Sequence, residues 1–548
     1  MILSATITEK YMGAKLLLKD ASFMLQENQK VALIGRNGAG KSTLFHLLTG
    51  DDTDFIGEIE TAKKLRIVAT AQEHHDVDTT TPVHYILDNV PEFFSLQHII
   101  DTYPDTMGED LHLIHTFTEA VQTFTERGYY TIEEDIVEML ATLGIDIDAA
   151  YRPMETLSGG QKRFVELVKI SFARADIVLL DEPTNHLDYH GKAQFLAWLK
   201  ALNTAALVIS HDRDVLREVD SVIELRDNRL HSYKGNYDAY ITQNGTSTVT
   251  EIGQYETALK RLKVLKGQMN TAKARMAGAG DNRPKILYER LKREHDELKE
   301  SLSKPSFWID KDTVENLSDT VTESYDKYKA RGITIRVAKP DTHVFQLLEL
   351  EKVAVGYTHP LVERISFAIK HGDRIQFRGR NGAGKSTLIT TIRAIAAGNE
   401  APPTLLQGHV RCAPKLRIGF YEQEISGEHL DMKLGEAVTA CYYEAGIAIP
   451  IEEVRSVLAT YLFNPMQDID LPVRSLSGGQ KARLQLIKML ANNPNLLILD
   501  EPSNHLDLPS IEELETALQQ FTGAIIFVTH DSYFAESIGG RTIQIGKA

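Results

Sequence analysis

The sequence predicts an α/β protein in which one domain type is used twice, with a long helical hairpin between the copies. Three observations predict it. A set of motifs recurs along the 548-residue chain at nearly fixed spacing. Short aliphatic runs alternate with helical stretches in both copies. The segment between the copies, residues 243–342, is basic and helix-periodic.

The repeat sets the organisation. Gly35-Arg36-Asn37-Gly38-Ala39-Gly40-Lys41-Ser42-Thr43 returns as Gly379-Arg380-Asn381-Gly382-Ala383-Gly384-Lys385-Ser386-Thr387. Leu157-Ser158-Gly159-Gly160-Gln161 returns as Leu476-Ser477-Gly478-Gly479-Gln480. Asp181-Glu182-Pro183 returns as Asp500-Glu501-Pro502, and His211-Asp212 as His530-Asp531. The last three pairs are each displaced by 319 residues and the first by 344, so the first copy carries 25 extra residues after its glycine-rich loop. Gln72 lies 86 residues before Ser158, whereas Gln423 lies 54 before Ser477, which places an insert near 88–135. The expected domains are 1–242, 243–342 and 343–548.

The elements follow from local pattern. Val31–Ile34, Ile177–Leu180 and Ala206–Ile209 are short, aliphatic and continuous, as parallel strands buried on both faces are. Lys162–Phe172 and Lys192–Leu202 read as helices between them. In the middle segment Tyr255, Leu259, Leu262, Leu265 and Met269 recur at helical spacing, as do Leu287, Leu291, Leu298 and Leu302. The breaker-rich stretch Met276–Pro284 separates them, which predicts a two-helix hairpin.

Composition excludes several classes. Hydrophobic residues are 43% of the chain, too many for a disordered protein. A net charge of −16 argues against a general nucleic-acid coat but leaves room for a local basic patch. Cys412 and Cys441 are the two cysteines, neither a disulfide framework nor a zinc set, so a reduced cytoplasmic chain is expected. Residues 1–7 read as a first strand, and no run reaches the roughly 18 apolar residues of a membrane span.

The repeated motifs carry phosphate chemistry. Gly35-x4-Gly40-Lys41-Ser42 and Gly379-x4-Gly384-Lys385-Ser386 each follow a strand and open a helix. Glycines let backbone N–H groups wrap a triphosphate, the lysine reaches its β/γ-phosphates, and the serine hydroxyl ligates Mg²⁺. The helix N-terminus adds partial positive charge. Asp181-Glu182 and Asp500-Glu501 end apolar strands. There the aspartate can hold Mg²⁺ through water and the glutamate can orient the attacking water.

Leu-Ser-Gly-Gly-Gln some 23 residues before Asp-Glu-Pro-(Thr/Ser)-Asn-His-Leu-Asp, followed by His211 or His530, resembles an ATP-binding cassette in both halves. Two fused cassettes with a basic linker and an insert in the first are similar to the ABC-F family, whose members bind the ribosome. The resemblance implies an ATPase with two P-loop cassettes sandwiched head to tail within one monomer. ATP on Lys41 would be covered by Ser477, Gly478, Gly479 and Gln480. ATP on Lys385 would be covered by Ser158, Gly159, Gly160 and Gln161. His211 and His530 would sense the γ-phosphate, and Gln72 and Gln423 would report on Mg²⁺ and water. Tyr11 and Tyr357, 24 and 22 residues before the loop glycines, stand where the family stacks adenine.

The linker and insert carry opposite charge. Residues 255–304 hold 13 Lys/Arg against 7 Asp/Glu. With the resemblance, Lys273, Arg275, Arg283 and Lys285 near the hairpin tip are expected to meet RNA phosphate, toward the peptidyl-site tRNA. Residues 88–135 hold 11 acidic residues and one basic residue, Arg127. RNA phosphate would repel that surface, which leaves a basic ribosomal protein or plain solvation as readings. The expected function is a ribosome-bound ATPase near the exit tRNA site and its rRNA, gating translation by cassette closure. Ribosome protection against antibiotics and an energy module for a separate membrane subunit are the alternatives.

Overall fold

In a computed structural model of the chain, the described residues are all except 1, 14, 62–64, 71–78, 186, 277–282, 302–345, 400, 422–426, 477, 505 and 547–548. Residues 1–236 with 333–548 form one compact unit, and 237–332 form a second. No helix among the described residues is long and apolar enough to cross a membrane.

The α/β expectation holds in both halves. In the first, β3 (Lys30–Gly35), β5 (Ile67–Ala69), β6 (Ile177–Asp181), β7 (Ala205–Ile209), β8 (Ser221–Arg226) and β9 (Arg229–Lys234) order as β5-β6-β7-β3-β8-β9. All neighbours are parallel except β8–β9. In the second, β12 (Arg374–Arg378), β14 (Ile418–Tyr421), β15 (Leu496–Asp500), β16 (Ala524–Val528) and β17 (Arg541–Gln544) form an all-parallel sheet ordered β14-β15-β16-β12-β17. Each half adds a three-stranded antiparallel sheet, β1 (Leu3–Met12) between β2 (Lys15–Leu25) and β4 (Ile56–Thr61), and β10 (Gln346–Gly356) between β11 (Pro360–Lys370) and β13 (Leu405–Cys412).

Strand periodicity divides the central residues between two cores. In β6, Val178 and Leu180 join a core with the helices, while Ile177 and Leu179 join one with the antiparallel sheet. In β15, Leu497 and Leu499 divide from Leu496 and Ile498 in the same way. This double burial explains the unbroken aliphatic runs, and it fixes the strand ends where Asp181 and Asp500 emerge.

The insert is a pair of helices, Phe93–Thr106 and Leu111–Glu126. Phe93 stacks on Phe124 at 5.6 Å and meets the edge of Tyr129, and Arg127 pairs with Glu92 at 2.6 Å. Aromatic packing at its base thus holds a hairpin whose acidic side chains are mostly solvated.

The second unit contains the helices Tyr237–Met276 and Arg283–Ser301. The first starts six residues before the boundary read from the sequence, directly after β9. Leu265, Ala272 and Leu291 are buried, and Arg261 pairs with Glu294 at 2.6 Å across the hairpin. Leu259, expected on the packed stripe, is 39% exposed. Lys273 and Lys285 are exposed. The turn expected between the helices falls on residues 277–282, which, with the side chains of Arg275 and Arg283, lie outside the described residues.

Candidate active site

Each glycine-rich loop links the buried strand β3 or β12 to the helix Lys41–Thr49 or Lys385–Ala396. Its shape demands glycine. Gly38 and Gly40 have φ of 73° and 112°, and Gly382 and Gly384 have 79° and 92°. A side chain on Gly384 would also meet Leu361 and Val362 within 2.9 Å. Gly35, Thr43, Gly379 and Thr387 complete the two loops.

Both lysines fold into their own loops. Lys41 Nζ donates to Gly35 O at 2.6 Å and lies 3.3 Å from His211 Nε2. Lys385 Nζ donates to Gly379 O at 2.7 Å and Arg380 O at 3.0 Å. Burial pulls both ammonium pKa values below the ordinary lysine value, against the attraction of nearby carboxylates. A buried cation in a cradle of backbone amides fits a triphosphate. Ser42 Oγ donates to Asp181 Oδ2 at 3.1 Å, and Ser386 Oγ to Asp500 Oδ2 at 3.0 Å. This hydroxyl–carboxylate pair is a hard-oxygen donor set of the kind Mg²⁺ takes.

The acids after the strands are strained. Glu182 and Glu501 have φ of 45° and 48°, conformations a non-glycine residue adopts only when its surroundings hold it there. Their amides donate to Ile209 O and Val528 O. His211 Nε2 stands 3.5 Å from Glu182 Oε1, and His530 Nε2 3.3 Å from Glu501 Oε1. Burial drives both carboxyls upward, Glu501 to about 7 with Asp500 adding repulsion. Burial drives both imidazoles downward, His530 to about 4, with the adjacent lysine adding repulsion.

The decisive contacts cross between the halves. Asp188 caps the helix Tyr189–Ala201 by accepting from Gly191 N through Oδ1 at 2.9 Å. Its Oδ2 accepts from Asn381 N, in the other half's glycine loop, at 3.0 Å. Asp507 repeats this: Oδ1 accepts from Ser510 N and Oδ2 from Asn37 N, each at 3.1 Å. Burial works against both charges, but hydrogen bonds outweigh it and hold both carboxyls below the usual range: the Gly191 and Asn381 amides for Asp188, and the Ser510 hydroxyl followed by the Asn37 amide for Asp507. Asn37, Gly38, Asn381, Gly382, Glu182, Glu501, His211, His530 and Gly478 line one cavity of about 650 Å³.

The chain matches the ABC transporter family model over residues 18–185 and 362–504. The chain belongs to the ABC transporter family. It is an ATPase with two cassettes in tandem. It is 30% identical to the putative ATP-binding protein YdiF of Bacillus subtilis (strain 168), over 100% of this chain and 80% of that one. It is 29% identical to the probable ATP-binding protein YbiT of Escherichia coli O157:H7, over 100% and 96%. A solved complex of an archaeal ribosomal stalk protein with the ribosome recycling factor aABCE1 shares the fold, at 15% identity and TM-score 0.58, covering 98% of this chain and 87% of that one.

The cassettes do not gather every expected residue. Ser158–Gln161 open the helix Gly159–Phe172, where Ser158 and Gln161 satisfy one another in a capping box, and they do not line the cavity. Gly478, Gly479 and Gln480 begin the corresponding helix, Gly478–Leu490, in the second cassette. Tyr11 and Tyr357 are exposed, at 45% and 69%, and stand outside the cavity lining. Gln72, Gln423 and Ser477 lie outside the described residues. Asp188 and Asp507 were legible as motif letters, but their role was not, because only folding brings each against the other cassette's loop.

Proposed function

We propose that this chain is an ABC-F-type ATPase that binds the ribosome near the exit tRNA site and modulates translation through its linker hairpin. The observation that carries the reading is a basic two-helix hairpin placed in the chain between two cassettes whose glycine loops are each bonded to the opposite cassette. A solved structure sharing the fold is described as ribosome-bound archaeal Pelota and ABCE1, which agrees with this direction.

In this reading each ATP lies on one glycine loop and is covered by the other cassette's Leu-Ser-Gly-Gly-Gln. Lys41 and Lys385 leave their own loop carbonyls for the β/γ-phosphates. Ser42 with Asp181, and Ser386 with Asp500, would hold Mg²⁺, which would neutralise phosphate charge. Glu182 and Glu501 orient the attacking water and take its proton, and carboxyls pushed toward neutral pH suit that task. His211 and His530, kept neutral by burial, donate one ring N–H to the γ-phosphate. Tyr11 and Tyr357 offer exposed rings to adenine.

The hairpin is tested apart from the chemistry. With Lys273, Arg275, Arg283 and Lys285 all changed to alanine, ATP turnover without ribosomes stays near parental. Ribosome affinity and ribosome-stimulated turnover fall. Each lost phosphate contact flattens the log–log salt dependence of ribosome pelleting by roughly 0.7–0.9. Superimposable salt curves for parent and variant would remove RNA contact from this hairpin.

A further inference from the structure

The internal repeat permits a residue-by-residue comparison of the two sides of the cassette interface, and the charges there are not mirrored. Arg213, two residues after His211, reaches the other cassette's helix Leu508–Gln520. Its Nη1 lies 3.3 Å from Glu515 Oε1 and its Nη2 3.4 Å from Glu512 Oε1. Arg213 is 6% exposed and Glu515 8%. The guanidinium groups of Arg213 and Arg217 lie 5.5 Å and 4.4 Å from the centre of the Tyr533 ring, also of the second cassette. Beside them, Ser532 Oγ donates to Asp214 Oδ2 at 2.8 Å, and buried Lys192 pairs with Asp214 and, at 2.8 Å, with Asp212.

A displacement of 319 residues gives the counterpart of each. Ser532 stands for Arg213, Ala193 for Glu512, Leu196 for Glu515, Glu536 for Arg217, Tyr533 for Asp214 and Ile511 for Lys192. The mirror-image ion pair therefore has no charges with which to form. Both partners of the existing pair adjoin one nucleotide site: Arg213 follows His211, and Glu512 and Glu515 share a helix with Asp507, which bonds Asn37. Removing one partner of a nearly dry ion pair across an interface is costly, because the other charge is left buried and unpaired.

We propose that Arg213 with Glu512 and Glu515 is a one-sided ionic latch that positions the second cassette over the nucleotide site built on Lys41, while the site built on Lys385 lacks the mirror image of that pair. The two sites then release product unequally, the Lys385 site first. This rests on the composite-site reading and is independent of the ribosome reading.

The test uses ribosome-free full-length protein and release of a fluorescent ADP analogue. The Lys385→Ala variant leaves the Lys41 site to be read, and Lys41→Ala leaves the other. Arg213→Ser, which copies the second cassette's own residue, speeds release from the Lys41 site about tenfold or more and changes the Lys385 site less than about twofold. Arg213→Glu does the same, and adding Glu512→Arg with Glu515→Arg restores slow release, an outcome that a packing role for Arg213 does not produce. Equal effects at both sites, or no rescue by the charge swap, overturn the latch. Failure of the composite-site reading is distinguished because Asp507→Ala would then leave release at the Lys41 site untouched.

Discussion

At the scale of single residues, Glu182 and Glu501 carry the backbone strain and, under the proposed function, the water-activating chemistry. A doubly substituted Glu182→Gln, Glu501→Gln protein keeps the loops, lysines and aspartates, so it binds ATP and loses turnover. Parental hydrolysis by this variant would remove both glutamates from the water-activating role. The same variant carries a pH signature. Both carboxyls are raised in the folded protein, Glu501 to about 7, from an unfolded value near 4.5. Such groups contribute stability below the unfolded pKa that is lost as pH rises through the folded one. His530, depressed to about 4, acts in the opposite sense between about 4 and 6.5 and is common to both proteins. Without nucleotide, the parent's melting temperature therefore falls relative to the variant's as pH rises from about 5 to about 8. Parallel melting curves across that range would contradict the burial of these carboxylates.

At the scale of elements, the helices that begin after Asp188 and Asp507 join local folding to the opposite cassette. One carboxylate oxygen caps its own helix and the other accepts from a glycine-loop amide across the interface. Asparagine caps a helix about as well as aspartate, but its second atom is a donor. Asp188→Asn or Asp507→Asn thus satisfies one of the two amides and opposes the other. Melting stays within a few degrees of parental, while steady-state ATP turnover falls severalfold; unchanged turnover would make these crossing bonds incidental. This is where sequence reading stopped. Strands, loops and hairpin were legible because each is written in local periodicity and turn residues. Asp188 and Asp507 were visible in their motifs, yet their partners Asn381 and Asn37 are 193 and 470 residues away. The capping box of Ser158 with Gln161 was equally hidden behind a functional reading of the same letters.

At the scale of the whole molecule, the repeat gives two cassettes whose glycine loops each bond the other half, and the proposed function makes them two shared sites of one enzyme. Lys41→Ala and Lys385→Ala each remove the phosphate cation from one loop only. If the sites worked separately, each variant would keep half the turnover. Because each loop amide is held by the other cassette, each variant instead falls well below half, and a clean half-maximal rate would argue for independent sites. Tandem architecture was evident from the 319-residue displacement, whereas the unequal charge across the interface required knowing which side chains meet.

The helix Tyr237–Met276 is 40 residues long and follows the last strand of the first cassette after two residues. At 1.5 Å per residue it is a rod of about 60 Å. A tilt of about 10° at its root would sweep its far end through about 10 Å, so geometry alone supplies mechanical gain. Under the proposed function, a lever of that length would turn an ångström-scale change at its root into a stroke of nucleotide size, with the helix acting as the pointer of a gauge.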